Sequence, residues 1–432
     1  MFVTRSIKSG LRSIKGKLSS LGPGFITGAA DDDPSGVAMY SISGAQFGYA
    51  LNWLILVCLP LMIAVQEVCA RIGIVTGRGL AGVIRKYYSR KFLYVVVALL
   101  AFANIVNIGA DLGAMADVIV MVVGFPWWLW LVLVTIFAII LEVWIPYRTY
   151  EPLLKLFAFF LLSYLATAII VSPNVGQVVK SIFLPHVEFS LPFLAAAVGF
   201  LGTTISPYLF FWQASEEVED EIVKRRIHGF GMGKPKFNQG DIKRMRLDTN
   251  AGMIFSQIVT LAIIITTTET IHHAGLTTIV SAKDAALALR PLAGDLAYLL
   301  FAIGIVGVGL QSIPILAGSL AYAVAEVFHR PEGLGKPFSR AKFFYFVIIA
   351  ASILGSLINV LGINPIKALY YAAIVNGIVA VPLIATVTLI GRNQKIMGRE
   401  TSGPLSSLAG VITTLVMGIA ALAMIVLALK GL

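Results

Sequence analysis

Charge is what this sequence has least of. Asp, Glu, Lys and Arg make up 13 % of its 432 residues, about half the ~25 % of a soluble domain. That is too little to cover a soluble globule of this length, and the chain is too apolar to stay disordered. Cysteine is scarce as well. Cys58 and Cys69 share one apolar stretch, which excludes a disulfide scaffold or a Cys-based zinc site and reads as packing. An apolar signal core is missing from residues 1–22, which are basic and rather polar, so no cleavable signal peptide is expected. What the chain has instead is 58 % apolar residues and a mean hydropathy of +0.88. A polytopic membrane protein has this composition, because lipid solvates most of its surface.

The net charge of +11 raises nucleic acid as a partner, but its distribution excludes that reading. The basic residues fall in short connections between long apolar runs. Eleven spans of about 20 residues or more are read at 24–46, 51–75, 92–123, 127–145, 150–171, 192–214, 249–271, 293–326, 342–361, 367–390 and 405–430. Lys and Arg gather on one side of them. They are Arg5, Lys8, Arg12, Lys15 and Lys17 in the tail, the groups at 78–91, 224–246, 330–342 and 392–399, and Arg148. The amino terminus is therefore expected in the cytoplasm and the carboxyl terminus outside, in a plasma membrane of bacterial inner-membrane type. The loop 215–248 reads as a solvated helix extension plus linker.

Two spans break the rule that backbone in lipid bonds within its own helix. Span one runs Gly28-Ala29-Ala30-Asp31-Asp32-Asp33-Pro34-Ser35-Gly36, and span six runs Gly202-Thr203-Thr204-Ile205-Ser206-Pro207-Tyr208. Each places small polar residues and a proline near mid-span, where proline removes a helical hydrogen bond. The breaks lie five spans apart, so the two halves have opposite topology. That pattern predicts an all-α, inverted five-plus-five repeat transporter with its site at the breaks. The first repeat is 24–171, the second 192–390, and 405–430 is an additional helix.

Three consecutive aspartates in a span cost roughly 2.5–3.5 kcal/mol each on insertion scales, so they should face a cavity and a cation. The carbonyls ending each first half-helix, around Ala30–Asp33 and Gly202–Thr203, are expected to add negative potential. The side chains in both breaks are Asp, Ser, Thr and Tyr, without Met, Cys or His. Such hard oxygen favours Mg²⁺, Ca²⁺ or Mn²⁺. On span three, Asn104, Asn107 and Asp111 share one helical face and read as lining a water path. Gln213 is added to that path, with Asp31, Asp32 and Tyr208. Gln66, Glu67, Asp117, Gln311 and Asn376 are weaker candidates, equally readable as packing groups.

These residues resemble the natural-resistance-associated macrophage protein (Nramp) family of metal-ion transporters. That family carries Asp-Pro-Gly-Asn in span one and Ala-x-x-Met-Pro-His in span six. Here the corresponding text is Asp33-Pro34-Ser35-Gly36 and Thr203-Thr204-Ile205-Ser206-Pro207-Tyr208. The stretches Gly44-Ala45-Gln46-Phe47-Gly48 and Phe210-Phe211-Trp212-Gln213-Ala214-Ser215-Glu216-Glu217 look like its Nramp-related magnesium transporter branch. The resemblance implies alternating access, with Asp33 matching the metal-binding aspartate and Thr203 the carbonyl ligand of inward-open states. The family's metal-binding asparagine, methionine and histidine are Gly36, Ser206 and Tyr208. A metal set of Ala30, Asp33, Gly36, Thr203 and Ser206 is thus expected. Without the thioether, softer ions lose their preferred ligand, and a roomier site suits Mg²⁺, which keeps several waters.

Proton coupling is not expected. Ala114 replaces the family's glutamate after Asp111, the reference pKa of a tyrosine, about 10, is too high for Tyr208 to shuttle protons near neutral pH, and span nine has no basic residue from Phe343 to Ile366. The alternative is proton-coupled Mn²⁺ or Fe²⁺ symport. Na⁺-coupled amino-acid symport is disfavoured because the acidic break repels a carboxylate. An intramembrane prenyl transferase holding Mg²⁺-diphosphate needs a second aspartate cluster and nearby basic residues, and neither is present, so no enzyme is expected. Gly77-Arg78-Gly79-Leu80-Ala81-Gly82 fits a dinucleotide fingerprint but follows a membrane span rather than a strand. Gly304, Gly307 and Gly309 read as close helix contacts, and His272 and His273 as surface residues at the outer end of span seven. The expected partners are the metal-ion substrate and membrane lipid, with no cofactor and no obligate protein.

Overall fold

The computed structural model describes residues 22–146, 149, 159–233 and 235–430. The basic tail 1–21, Arg148 and the start of span five lie outside the described residues. The helices that matter here are α1 (Pro23–Ala29), α2 (Pro34–Phe47), α3 (Trp53–Thr76), α4 (Leu80–Tyr87), α5 (Arg90–Val123), α6 (Trp127–Trp144), α7 (Leu162–Ile170) and α8 (Val175–Phe183). They continue as α9 (Leu191–Thr204), α10 (Pro207–Val223), α11 (Gln239–Thr267), α12 (Ala282–Ala286), α13 (Ala297–Phe328), α14 (Lys342–Ile358), α15 (Pro365–Arg392) and α16 (Pro404–Lys430). Nine helical segments among the described residues are long and apolar enough to cross a membrane. Of the other two expected spans, the first is split into α1 and α2, and the fifth is described only from residue 159. The chain is all-α, with the inverted five-plus-five architecture and broken helices at spans one and six.

Both breaks arise where the sequence predicts them. Asp33 has extended backbone and caps α2, and its side chain accepts the N–H of Gly36, while Pro34 opens the helix. Proline suits that first position because its missing N–H would have no helical partner. Pro207 opens α10 in the same way after the extended Ser206. Outward-facing apolar side chains such as Trp128, Phe137 and Ile140 are 63 %, 52 % and 45 % exposed, the surface that lipid covers. α16 packs at the margin, against α15 and α9.

The short half-helix α1 is held against α11 by direct backbone contact. A Cβ at Gly28 would lie 2.2 Å from the carbonyl carbon of Gly252, and one at Gly24 would lie 2.5 Å from the amide nitrogen of Thr249. Only glycine permits that approach. The N–H groups of Gly22 and Gly24 donate to the Asp248 carboxylate at 2.9 and 2.8 Å, satisfying orphan donors at the start of α1.

The expectations for the long connection rich in charge are partly overturned. The loop 215–248 is not a solvated extension: Glu217 and Glu221 of α10 are 5 % and 2 % exposed. Arg226 bridges Glu221 and Asp241 at 2.9 and 3.0 Å, and Arg78 donates to the Gly231 carbonyl at 3.2 Å, so the loop folds back on the bundle. The glycine-rich turn before α4 cradles protein rather than phosphate. Gly79 and Gly82 N–H groups donate to the two oxygens of Glu326 at 2.8 and 2.7 Å. Gly309 makes the close helix contact expected of it, its added Cβ meeting the Met115 sulfur at 2.4 Å, whereas Gly304 faces open space.

Candidate metal permeation site

Asp33 sits at the centre of both breaks, 1 % exposed. Its Oδ1 accepts the Ser35 hydroxyl at 2.6 Å and the Gly36 N–H at 2.8 Å. Its Oδ2 accepts the Asn107 amide at 3.0 Å and the Tyr208 hydroxyl at 3.1 Å. The carboxylate is thus reached from α2, α5 and α10 at once. The Tyr208 hydroxyl also lies 3.2 Å from the Ala30 carbonyl, so it bridges the unwound strand of span one to the start of α10.

The second break is tied more tightly than the sequence suggests. α9 continues through Thr204, and the Ser206 hydroxyl donates to the carbonyls of Thr203 and Gly202, at 2.7 and 3.0 Å. The Thr203 carbonyl therefore has a donor from its own chain. The Thr203 hydroxyl has no hydrogen-bond partner among the described residues and lies 3.1 Å from where a Gly36 Cβ would stand. Gly36 offers a backbone N–H to Asp33 and an open space beside Thr203. It has no side-chain oxygen of its own.

Asp31 and Asp32 point elsewhere. Asp31 Oδ2 accepts the Ser256 hydroxyl at 2.8 Å, and Asp32 Oδ1 lies 3.5 Å from the Thr260 hydroxyl. Asp248, Gly252, Ser256 and Thr260 recur every four residues, so one face of α11 tracks α1 and then the two aspartates. This stripe was readable from the sequence, as small and polar residues at helical spacing in an apolar span. Asp31 Oδ1 and Asp32 Oδ2 are buried without a partner.

The span-three stripe divides by role. Asn107 reaches Asp33. Asn104 donates to the Leu316 carbonyl at 2.8 Å and to the Ser319 hydroxyl at 2.9 Å, and Asp111 accepts from Ser312 at 2.7 Å. Those two bind α5 to α13, the packing role of polar groups between membrane helices. All three are 0 % exposed. Gln213 donates to Glu217 one turn along α10 at 2.9 Å. Glu67 pairs with Arg71 and Arg246 at 2.6 and 2.8 Å, which makes it structural, and Asp117 is half-buried further along α5. Gln311 and Asn376 are 1 % exposed with both amide atoms unpartnered, and Gln66 keeps one unpartnered oxygen. Gly202 packs on the backbone of Gly377, next to Asn376, which brings α15 to the second break.

Next to the start of α2, a small apolar pocket is lined by Pro34, Val37, Ala114, Val118 and Phe301. No three His, Cys, Asp or Glu side chains among the described residues are grouped as a metal cage. One carboxylate surrounded by hydroxyls, amides and carbonyls is therefore the chemistry on offer.

Solved structures share this fold. A manganese transporter of Eremococcus coleocola, in complex with an aromatic bis-isothiourea substituted compound, matches with a TM-score of 0.72 at 19 % identity over 94 % of this chain and 87 % of that one. A nucleobase-cation-symport-1 family transporter, closed with bromovinylhydantoin bound, matches with a TM-score of 0.55 at 14 % identity over 95 % and 93 %. The sequence model of the natural resistance-associated macrophage protein-like family covers residues 24–427, and the chain belongs to that family of membrane metal-ion transporters and is not an enzyme.

Proposed function

We propose that the chain carries Mg²⁺, and with it Mn²⁺, inward across a plasma membrane by alternating access without proton coupling. The observation that supports this most is the set of donors on Asp33: Ser35, Gly36, Asn107 and Tyr208. None is soft. Tyr208 and Asn107 present hydrogen-bond donors to Oδ2, and the waters of a hydrated cation present the same kind of donor. A Mg²⁺ ion that keeps much of its shell can take their place on Asp33 and Ala30 without demanding a full protein cage. Ser206 supports the same reading, since its hydroxyl engages the carbonyls that a bare ion would need. Thr203 and Gly36 then contribute room and a hydroxyl. Asp31, Asp32, Asp111 and Gln213 supply negative potential or polar lining around the path, and Asn104 holds its wall.

With no proton carried, the driving force is concentration and voltage. A divalent ion entering at 100 mV gains about 4.6 kcal/mol, from ~2.3 per charge. The amino terminus is cytoplasmic in this reading, on the side of the basic connections. The likeness to a manganese transporter favours a second reading, proton-coupled Mn²⁺ uptake.

Selectivity separates the two. The double change Gly36→Asn with Ser206→Met restores an amide and a thioether. The new Cβ at 36 lies 3.1 Å from both the Thr203 hydroxyl and the Asp31 carbonyl, so both neighbours must give by a few tenths of an ångström. Competition of Mg²⁺, Mn²⁺ and Cd²⁺ in proteoliposomes should then move toward the softer ions by about tenfold or more, which requires only ~1.4 kcal/mol. An unchanged ranking in a folded, active variant places selectivity outside these two positions.

A further inference from the structure

We propose that His272 and His273 form a binding site for a borderline transition-metal ion such as Zn²⁺, on the face opposite the basic connections and separate from the Asp33 break. The two residues close a turn of π-helix, Thr268–His272, at the end of α11. Both line a cavity of about 410 Å³, with Gly48, Tyr49, Lys180 and His186.

The geometry behind the rings carries the argument. His272 Nδ1 is 2.8 Å from the Ala45 carbonyl, an acceptor only, so Nδ1 carries the proton. His273 Nδ1 is 3.0 Å from Glu269 Oε2 and is likewise the donor. Glu269 is itself fixed, its other oxygen accepting the Tyr49 hydroxyl at 2.5 Å. Each imidazole therefore has its Nδ1–H spent on a carbonyl or a carboxylate and its Nε2 lone pair available. That is the arrangement in which histidines ligate metals: the outer partner fixes the tautomer and raises the basicity of the ligating nitrogen. Gly48, at φ +56°, brings its backbone against the His272 ring, and an added Cβ there would stand 3.3 Å from Nε2.

The ring centres are 5.9 Å apart. Two imidazoles sharing one ion at ~2.1 Å have centres roughly 5 Å apart, close to the separation seen here. Lys180 and Glu269 are the opposed charges beside the pair, so the cavity carries no strong excess of either sign. Imidazole suits Zn²⁺, Ni²⁺, Cu²⁺ and Fe²⁺ and not Mg²⁺. The site thus takes a different class of ion from the one proposed as substrate, with water completing the shell and His186 lining the same cavity.

The test is Zn²⁺ titration of the protein purified without a polyhistidine tag, in excess Mg²⁺ to occupy the Asp33 break. Wild type should bind one Zn²⁺ that His272→Gln with His273→Gln abolishes. Glu269→Gln should weaken it by about tenfold or more. Mg²⁺ flux without Zn²⁺ should be unchanged in both variants, which shows that they are folded. Cu²⁺ bound at the site should show two nitrogen ligands by electron paramagnetic resonance. A Zn²⁺ isotherm that the double substitution leaves unchanged overturns the proposal, as does a Cu²⁺ spectrum with fewer than two nitrogens.

Discussion

Asp33→Asn should lower Mg²⁺ flux by about a hundredfold or more, a loss of ~2.7 kcal/mol, in a protein that still folds. The fold survives because the cap survives. An asparagine oxygen accepts the Gly36 N–H as Asp33 Oδ1 does, and Asn is as good an N-cap as Asp. The new amide would face the Asn107 amide now on Oδ2. Asn107 Oδ1 has no partner, so a flip of that side chain turns the clash into a hydrogen bond. What is lost is the one charge assigned to direct contact with the ion. The checks are flux in proteoliposomes and a size-exclusion profile matching wild type. Near-normal flux would transfer the site to Asp31, Asp32 or Asp111.

Gly28→Leu should stop transport for a different reason. The Cβ alone would overlap the backbone of Gly252 at 2.2 Å, and neither backbone has a flexible end to move aside. α1 would have to leave α11, taking with it the Asp248 contacts to Gly22 and Gly24 and the Asp31 and Asp32 contacts to Ser256 and Thr260. In the proposed alternating-access cycle, a half-helix that cannot dock would leave its own side of the membrane open. Flux should fall at least about tenfold, with overpacking costing ~1–3 kcal/mol of stability. A cysteine placed at Thr27, which is 0 % exposed in this structure, should react faster with a membrane-impermeant thiol reagent in the Gly28→Leu background than in wild type. Wild-type flux together with a cysteine that reacts no faster would mean that α1 docking is not part of the cycle.

The sequence reveals the framework better than the wiring. Pro34 and Pro207 mark both breaks because each follows a run of small polar residues near mid-span, whereas Pro60, Pro314 and Pro382 stand inside continuous helices, and the offset of five spans gives the inverted topology. Asp33 is legible because a carboxylate in lipid needs a partner. The direction in which a side chain bonds is not legible from composition. The resemblance sets Ser206 where the family has methionine, yet its hydroxyl turns back onto Gly202 and Thr203, a choice made by the local backbone. Asn104, Asn107 and Asp111 share a helical face, but only tertiary packing decides that Asn107 meets Asp33 while the others meet α13. Glu217 and Glu221 look like a solvated face because acidic runs usually are. Here Arg226 pairs with Glu221, and Glu217 packs beside Gly73 of α3 and accepts from Gln213.

The central claim is hydrated Mg²⁺ transport at Asp33 without protons. The most direct test is a single proteoliposome experiment. Purified protein is reconstituted with an internal Mg²⁺ indicator and an internal pH dye, and inward-negative voltage is set by a potassium gradient. Mg²⁺ added outside should enter at a rate that rises with voltage, with no change of internal pH, and the Asp33→Asn protein should show neither signal. Metal-dependent acidification of the lumen, absent from empty liposomes, or entry of Mn²⁺ with none of Mg²⁺, would contradict the account.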